Sequence, residues 1–275
     1  MKLLHQGRAD ARRPAGAKNS DASASEARVV PGRIERMRAD FLANASHELR
    51  TPLASLAGFI ETLRGHAKDD PKARETFLGI MAAQADRMTR LIADLLSLSR
   101  IEMNEHIAPQ GRVDLAAALR EILNASGPVW AARKVSVDLD AQLEPAFASG
   151  DRDQLIQVLQ NLIENAVKYT PAGSPIEISA RNRREGIELE VADRGPGFTE
   201  GEEVRVFEKF YRGASVAANG TGGQPQATPR IIRGAGLGLP ICKAIVEAHR
   251  GKITACNRTG GGAVFRIVLP TDGVA

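Results

Sequence analysis

Between residues 33 and 66 apolar side chains recur at steps of three and four. Phe41, Ala45, Leu49, Leu53, Leu56, Ile60 and Leu63 make one continuous stripe, the spacing of a long amphipathic helix. Asp69-Asp70-Pro71 then supplies a turn and a helix start. A second stripe follows in Phe77, Ile80, Met81, Gln84, Met88, Leu91, Ile92, Leu95 and Leu98. Two long helices joined by a short turn predict an antiparallel hairpin. A lone hairpin leaves much of its stripe bare, so two copies are expected to pair into a four-helix bundle, and a homodimer is the expected assembly.

Across 103–113, where Pro109 and Gly111 break the pattern, the rhythm changes to mixed helix and strand. Residues 114–132 read as a helix and 135–139 alternate like a strand. Leu155, Val158, Leu159, Leu162 and Ala166 give the next helix its buried face. Residues 176–180, 187–191, 252–256 and 264–269 read as strands, and 239–248 as a last helix. Helices interleaved with strands that are not in tandem predict a two-layer α/β sandwich. The expected division is a leader over 1–32, an all-α helical dimerisation region over 33–105 and an α/β domain over 112–272.

Composition changes this picture little. The 275 residues are 43% hydrophobic and 25% charged, ordinary for a globular protein, and the net charge of +4 is small. Part of the basic excess is local: Arg8, Arg12, Arg13 and Lys18 lie in a leader rich in Ala, Ser and Gly. That leader reads as a solvated linker or disordered arm, with contact to anionic lipid or nucleic acid as the alternative. Cys242 and Cys256 form neither a disulfide framework nor a metal-ligand spacing, and both are expected to be small core residues. No signal peptide and no bilayer-length apolar run is present. The expectation is a cytoplasmic protein, or the cytoplasmic portion of an inner-membrane sensor that meets the membrane only through segments outside this sequence. No nucleic-acid partner is expected.

The candidate chemistry begins at Ser46-His47-Glu48-Leu49-Arg50-Thr51-Pro52. His47 lies two residues from both Ala45 and Leu49, so on a helix it points about 200° away from the stripe and faces solvent. Thr51, four residues on, shares its face, and Glu48 is one step round. Pro52 cannot donate to the carbonyl of Glu48, so a kink is expected beside His47. An exposed neutral imidazole keeps a nitrogen lone pair that can attack phosphorus, and a neighbouring carboxylate can hold the other ring nitrogen's proton.

About a hundred residues later, Asn161, Asn165 and Lys168 fall at i, i+4 and i+7, one polar face opposite the leucines of their helix. Neutral amide oxygens suit Mg²⁺, and a lysine can pair with phosphate. Asp193-Arg-Gly195-Pro-Gly197 follows a strand, where a carboxylate can accept from an adenine amino group while glycines let backbone approach the base. Gly234-Ala-Gly236-Leu237-Gly238-Leu239-Pro240 precedes a helix, so its N–H groups and the helix dipole can cradle a polyphosphate. No Walker-type Gly-x4-Gly-Lys-Ser/Thr occurs.

In order and spacing these segments, with Val206-Phe207-Glu208-Lys209-Phe210-Tyr211-Arg212 between the last two, resemble the phosphoacceptor box and the N, G1, F and G2 boxes of sensor histidine kinases of two-component systems. The lead-in Arg38-Ala-Asp40-Phe-Leu-Ala-Asn44 is similar to the phosphate-regulon type. The resemblance implies a dimeric helical hairpin followed by an ATPase domain that shares its fold with gyrase, Hsp90 and MutL. It implies that His47 is phosphorylated from ATP, that Glu48 is its base, and that Thr51 positions water for dephosphorylating the partner, the receiver domain of a response regulator. It assigns Asn165 to Mg²⁺, Lys168 to phosphate, Asp193 with Gly195 and Gly197 to adenine, and Gly234, Gly236 and Gly238 with Leu237 and Leu239 to the phosphate lid. It also implies that Tyr169 flanks the nucleotide and that Arg212 stabilises phosphate or the transfer state, with Asn161 on the same nucleotide-binding face as Asn165 and Lys168.

One departure is a lid over 213–233 that is longer than the family usually shows. It is expected to order on nucleotide, at a cost of roughly 1–2 kcal/mol per fixed residue. Three other readings stay open. A non-enzymatic scaffold would have lost Asn165, Asp193 or a lid glycine, and none is missing. An ATPase that uses ATP as a dimerisation clamp has no need of the helical histidine motif. A protein that works mainly as a phosphatase through Thr51 fits the same residues.

Overall fold

A computed structural model describes residues 21–104, 107–140, 146–184, 186–213 and 234–271. The chain divides into two compact units, Met1–Ser46 and His47–Ala275. Helix α1, Asp21–Arg64, begins in the first. Its start lies well before the expected residue 33, so 21–32 is helical. Pro31 and Gly32, which read locally as breakers, lie inside this helix. Near the end of this unit Ser46 Oγ donates to the Leu42 carbonyl at 2.8 Å.

In the second unit α1 runs through Pro52 without interruption. It stops where the Gly65 and Ala67 amides turn back onto the carbonyls of Glu61 and Thr62. Helix α2, Pro71–Met103, starts as the sequence predicts. Asp70 accepts from the Lys72 and Ala73 amides, both at 3.0 Å, and Pro71 occupies a first-turn position that needs no donor. Phe59 stacks on Phe77 with ring centroids 5.3 Å apart, tying the two helices together near the turn. Leu91, Leu98 and Ile101 are buried, whereas Leu53, Ile60, Ile80 and Ile92 remain 37–59% exposed.

The mixed region contains a five-stranded sheet in the order β2-β4-β5-β7-β6. Its members are β2 Ser136–Leu139, β4 Pro175–Arg183, β5 Gly186–Ala192, β6 Lys252–Asn257 and β7 Ala263–Leu269. Only β2 and β4 pair in parallel; the other neighbours are antiparallel. Burial alternates along the middle of these strands. Ile176, Ile178, Ile187, Leu189, Val191, Phe265 and Ile267 are buried. On the opposite face Arg266 pairs with Glu188 and Glu190, and Arg183 pairs with Glu188. Helices α4 (Arg152–Tyr169) and α6 (Gly238–Ala248) pack over the apolar face, and α3 (Leu115–Arg133) packs against α4. Asp114 caps α3 and Asp151 caps α4.

Two short strands, β1 Arg112–Asp114 and β3 Phe147–Ser149, pair antiparallel, and α5 spans only Glu202–Arg205. The sequence reading contained none of these three, since a few residues carry no usable period.

The cysteines divide. Cys242 is buried against the Val158 carbonyl, and burial pushes its thiol up to about 12. Cys256 is exposed, contrary to the expectation of a core residue, because β6 is an edge strand. Among the described residues no helix is long and apolar enough to cross a membrane.

His249, at the end of α6, is a buried polar link between α6 and α4. Its Nε2 accepts the Asp151 amide at 3.0 Å and its Nδ1 donates to the Ile245 carbonyl at 2.8 Å, which requires the neutral ring. Gly150 (φ +153°) has no room for a side chain, since a Cβ there would fall 2.1 Å from the imidazole. Burial lowers the His249 pKa below its ordinary value, opposed by the Ile245 carbonyl and the nearby Asp151 carboxylate. The fold therefore favours the neutral form. Stability is complete above the unfolded-state pKa and is lost as pH falls toward the folded one. Thermal melts from pH 8 to pH 5 are expected to show a fall in Tm below about pH 6.5. His249→Gln should flatten that fall, and an unchanged slope in the variant would assign it to another group.

Candidate functional site

Three segments far apart in sequence converge on one cavity of about 880 Å³. They are the polar face of α4, the turn after β5 and the start of α6. Of the residues expected to hold a nucleotide, Asn161, Asn165, Lys168, Tyr169, Asp193, Gly197, Arg212, Gly234, Gly236, Leu237, Gly238 and Leu239 all line it. Gly195 is not in the lining but donates its amide to Asp193 Oδ1 at 2.7 Å. The volume suits a ligand of nucleotide size.

Asp193 is only 3% exposed. Oδ1 accepts from the amides of Gly195 at 2.7 Å and Ala263 at 3.1 Å, and the Asp193 amide donates to the Ala263 carbonyl at 2.9 Å. Burial raises its pKa, against the pull of the two backbone donors and Arg258. The glycines here are forced by close approach. A Cβ on Gly262 (φ +107°) would meet the Asp193 carbonyl oxygen at 2.0 Å, and one on Gly197 (φ +71°) would meet Asn257 Oδ1 at 2.5 Å.

On the opposite wall Leu237 precedes α6 without any side-chain cap, so the first N–H groups of that helix are open to an anion. Lys168 Nζ lies 4.7 Å from the Tyr169 ring centroid, and a Cβ built on Gly234 would lie 3.2 Å from it. The lysine charge thus stands beside the glycine-rich segment. Asn161 Nδ2 donates to the Gly238 carbonyl at 3.4 Å. Asn165, half-buried on the next turn of α4, offers a neutral amide oxygen, and no cluster of three His, Cys, Asp or Glu occurs among the described residues. This donor set suits a hard cation that keeps its waters and phosphate oxygens. Most of the lid expected over 213–233 lies outside the described residues.

His47, Glu48 and Thr51 do not line the cavity. His47 is exposed, as its helical phase predicts, and Thr51 Oγ1 donates back to the His47 carbonyl at 3.3 Å. Glu48 is half-buried and shared: its Oε2 lies 2.7 Å from Arg212 and 3.2 Å from Arg87. Both arginines line the cavity, so Glu48 is joined to it at one remove.

Sequence reasoning missed Arg87, whose only local signal is a polar position on α2. It also missed Asp94, a cavity-lining carboxyl pushed up to about 6 by burial and the Glu164 carboxylate, with Arg90 opposing. A third omission is Glu202, buried at the rim, where it accepts the Thr199 amide at 2.9 Å and the Tyr211 hydroxyl at 3.0 Å.

Comparison with known proteins agrees with this geometry. Residues 150–273 match the family described as histidine kinase-, DNA gyrase B-, and HSP90-like ATPase. Residues 37–104 match the His Kinase A (phospho-acceptor) domain. The sensor-like histidine kinase SenX3 of Mycobacterium tuberculosis is 34% identical over 238 residues, covering 86% of this chain and 55% of its own. The chain spans about half the length of the curated relatives it matches. Among solved structures, the Acinetobacter baumannii histidine kinase AdeS superposes with a TM-score of 0.62 at 26% identity, over 82% of this chain and 98% of its own. Full-length ShkA in complex with AMPPNP does so with a TM-score of 0.58 at 26% identity, over 83% of this chain and 45% of its own. With the phospho-acceptor and ATPase families matched in this order, the chain belongs to the sensor histidine kinases of two-component systems.

Proposed function

We propose that the chain binds ATP in the cavity beside α4 and α6, transfers the γ-phosphoryl group to His47, and then yields it to an aspartate on the receiver domain of a response regulator. The observation that carries this reading is the convergence of Asp193, Lys168, Asn165 and the uncapped start of α6 on one cavity, with Arg212 joining that cavity to the residue next to His47. The AMPPNP complex of ShkA, a relative in structure, supports ATP as the nucleotide.

In this reading the buried Asp193 carboxylate accepts from the adenine amino group, and Tyr169 flanks the nucleotide. Lys168, the amides of Gly234, Gly236 and Gly238 and the first turn of α6, with Leu237 and Leu239, hold the polyphosphate. Mg²⁺, when bound, neutralises polyphosphate charge, and Asn165 is the side chain that would hold it. A His47 ring nitrogen attacks the γ-phosphorus in line. The N–P bond forms, the bond to the β,γ-bridging oxygen breaks, and ADP leaves. Glu48 takes the imidazole proton, and Arg87 and Arg212 anchor its carboxylate. Thr51, exposed on the same helix face as His47, serves the reverse direction by orienting water on the phosphorylated partner.

The exposed stripe of Leu53, Ile60, Ile80 and Ile92 supports a homodimeric four-helix bundle, since pairing two hairpins removes it from water. Incubation with γ-labelled Mg-ATP is expected to give acid-labile, alkali-stable label on the wild-type chain. ATP binding with no such label would defeat the kinase reading and favour the scaffold.

A further inference from the structure

The turn that carries Asp193 is held from outside by a residue about sixty positions later. The Phe198 amide donates to Asn257 Oδ1 at 2.7 Å, and Asn257 Nδ2 donates to the Phe198 carbonyl at 2.9 Å. One side-chain amide thus satisfies both backbone groups of one residue, as a neighbouring strand would. Asn257 is the last residue of β6 and stands opposite Ala263 in the β6–β7 ladder. Ala263 is itself the residue whose amide reaches Asp193 Oδ1.

The same hairpin therefore grips both ends of the turn, at Asp193 through backbone and at Phe198 through Asn257. The fit is close. Gly197 has φ +71°, and a Cβ there would stand 2.5 Å from Asn257 Oδ1, so the clip and the glycine require each other. Phe198 lines the cavity and sets its ring edge against Phe265 with centroids 5.8 Å apart, so its backbone position also decides that wall.

We infer that Asn257 is a positioning residue for nucleotide binding: it fixes the Asp193–Phe198 turn in the form that receives the base. This rests on the reading of the cavity as an ATP site. The role is separate from phosphoryl transfer, because both side-chain hydrogen bonds of Asn257 go to the Phe198 backbone. Its loss should weaken ATP binding and leave the limiting rate of transfer alone.

The test uses the full chain in three forms: wild type, Asn257→Ala and Asn257→Asp. Aspartate keeps the acceptor for the Phe198 amide and removes the donor to its carbonyl. For Asn257→Ala the KM for Mg-ATP in His47 labelling is expected to rise about five- to tenfold, with the rate at saturating ATP within about twofold and Tm little changed. Asn257→Asp, which sets a carboxylate oxygen against the Phe198 carbonyl, should raise the KM at least as far as alanine does. Amide exchange without nucleotide reads the clip directly: Phe198 should be protected in wild type and exchange faster in Asn257→Ala. An unchanged KM in the alanine variant, or a fall in limiting rate at unchanged KM, overturns the inference. A wild-type chain that binds no ATP overturns the function of the site instead, and the exchange result still reports on the clip.

Discussion

His47→Gln is expected to abolish incorporation of label from γ-labelled Mg-ATP, by at least about a thousandfold, while ATP affinity stays at the wild-type value. Glutamine has no nucleophilic ring nitrogen. It is a good helix former, and the position is exposed, so α1 should keep its geometry. His47 is also outside the cavity lining, so the nucleotide loses no contact. The separation of the two readouts gives the test its force. Label retained in the variant would place the acceptor elsewhere; affinity lost along with label would mean that position 47 supports the fold of the nucleotide site and is not the acceptor.

The second large effect is expected at Asp193. Asp193→Asn keeps the shape of the side chain and one carbonyl oxygen, so the bonds from the Gly195 and Ala263 amides survive. The other oxygen becomes an amino group. Where the carboxylate accepts from adenine, the variant presents a donor to a donor, at a residue that is 3% exposed. Losing a hydrogen bond to a charged acceptor costs roughly 1.5–3 kcal/mol, so ATP affinity should fall by about ten- to a hundredfold or more. Calorimetric titration reads this directly, with Tm as the control for folding. ATP affinity within a factor of two of wild type would remove Asp193 from the base site.

Legibility followed the range of the interactions. The two long helices, the Asp70 and Asp151 caps and the alternating strands could be read because each is specified within a few residues. The turn at Asp193 could be read for the same reason, since its glycines carry the requirement for close approach locally. What escaped was set by tertiary neighbours. Arg87 looks like any polar position on α2 until Glu48 is found beside it, thirty-nine residues away. Asn257 reads as a strand end, and only the fold brings it to Phe198. Cys256 was misplaced because a strand's pattern does not tell an edge from a centre, and β6 is an edge. The start of α1 was misplaced for the opposite reason: Pro31 and Gly32 are strong local signals, and the helix continues through them.

The grip of the β6–β7 hairpin on Asp193 also sets an order of events during synthesis. Asp193 emerges from the ribosome 70 residues before Ala263, the donor that completes its carboxylate's hydrogen bonds. The acceptor helix, α4 and the glycine-rich segment are all made before that point, yet the base-binding turn still lacks its brace. β7 also lies between β5 and β6 in the sheet, so the layer under the turn closes only when the last strand inserts. In the proposed reading, nucleotide competence therefore comes after His47 has been made, and a growing chain that already displays that residue has no finished site from which to phosphorylate it.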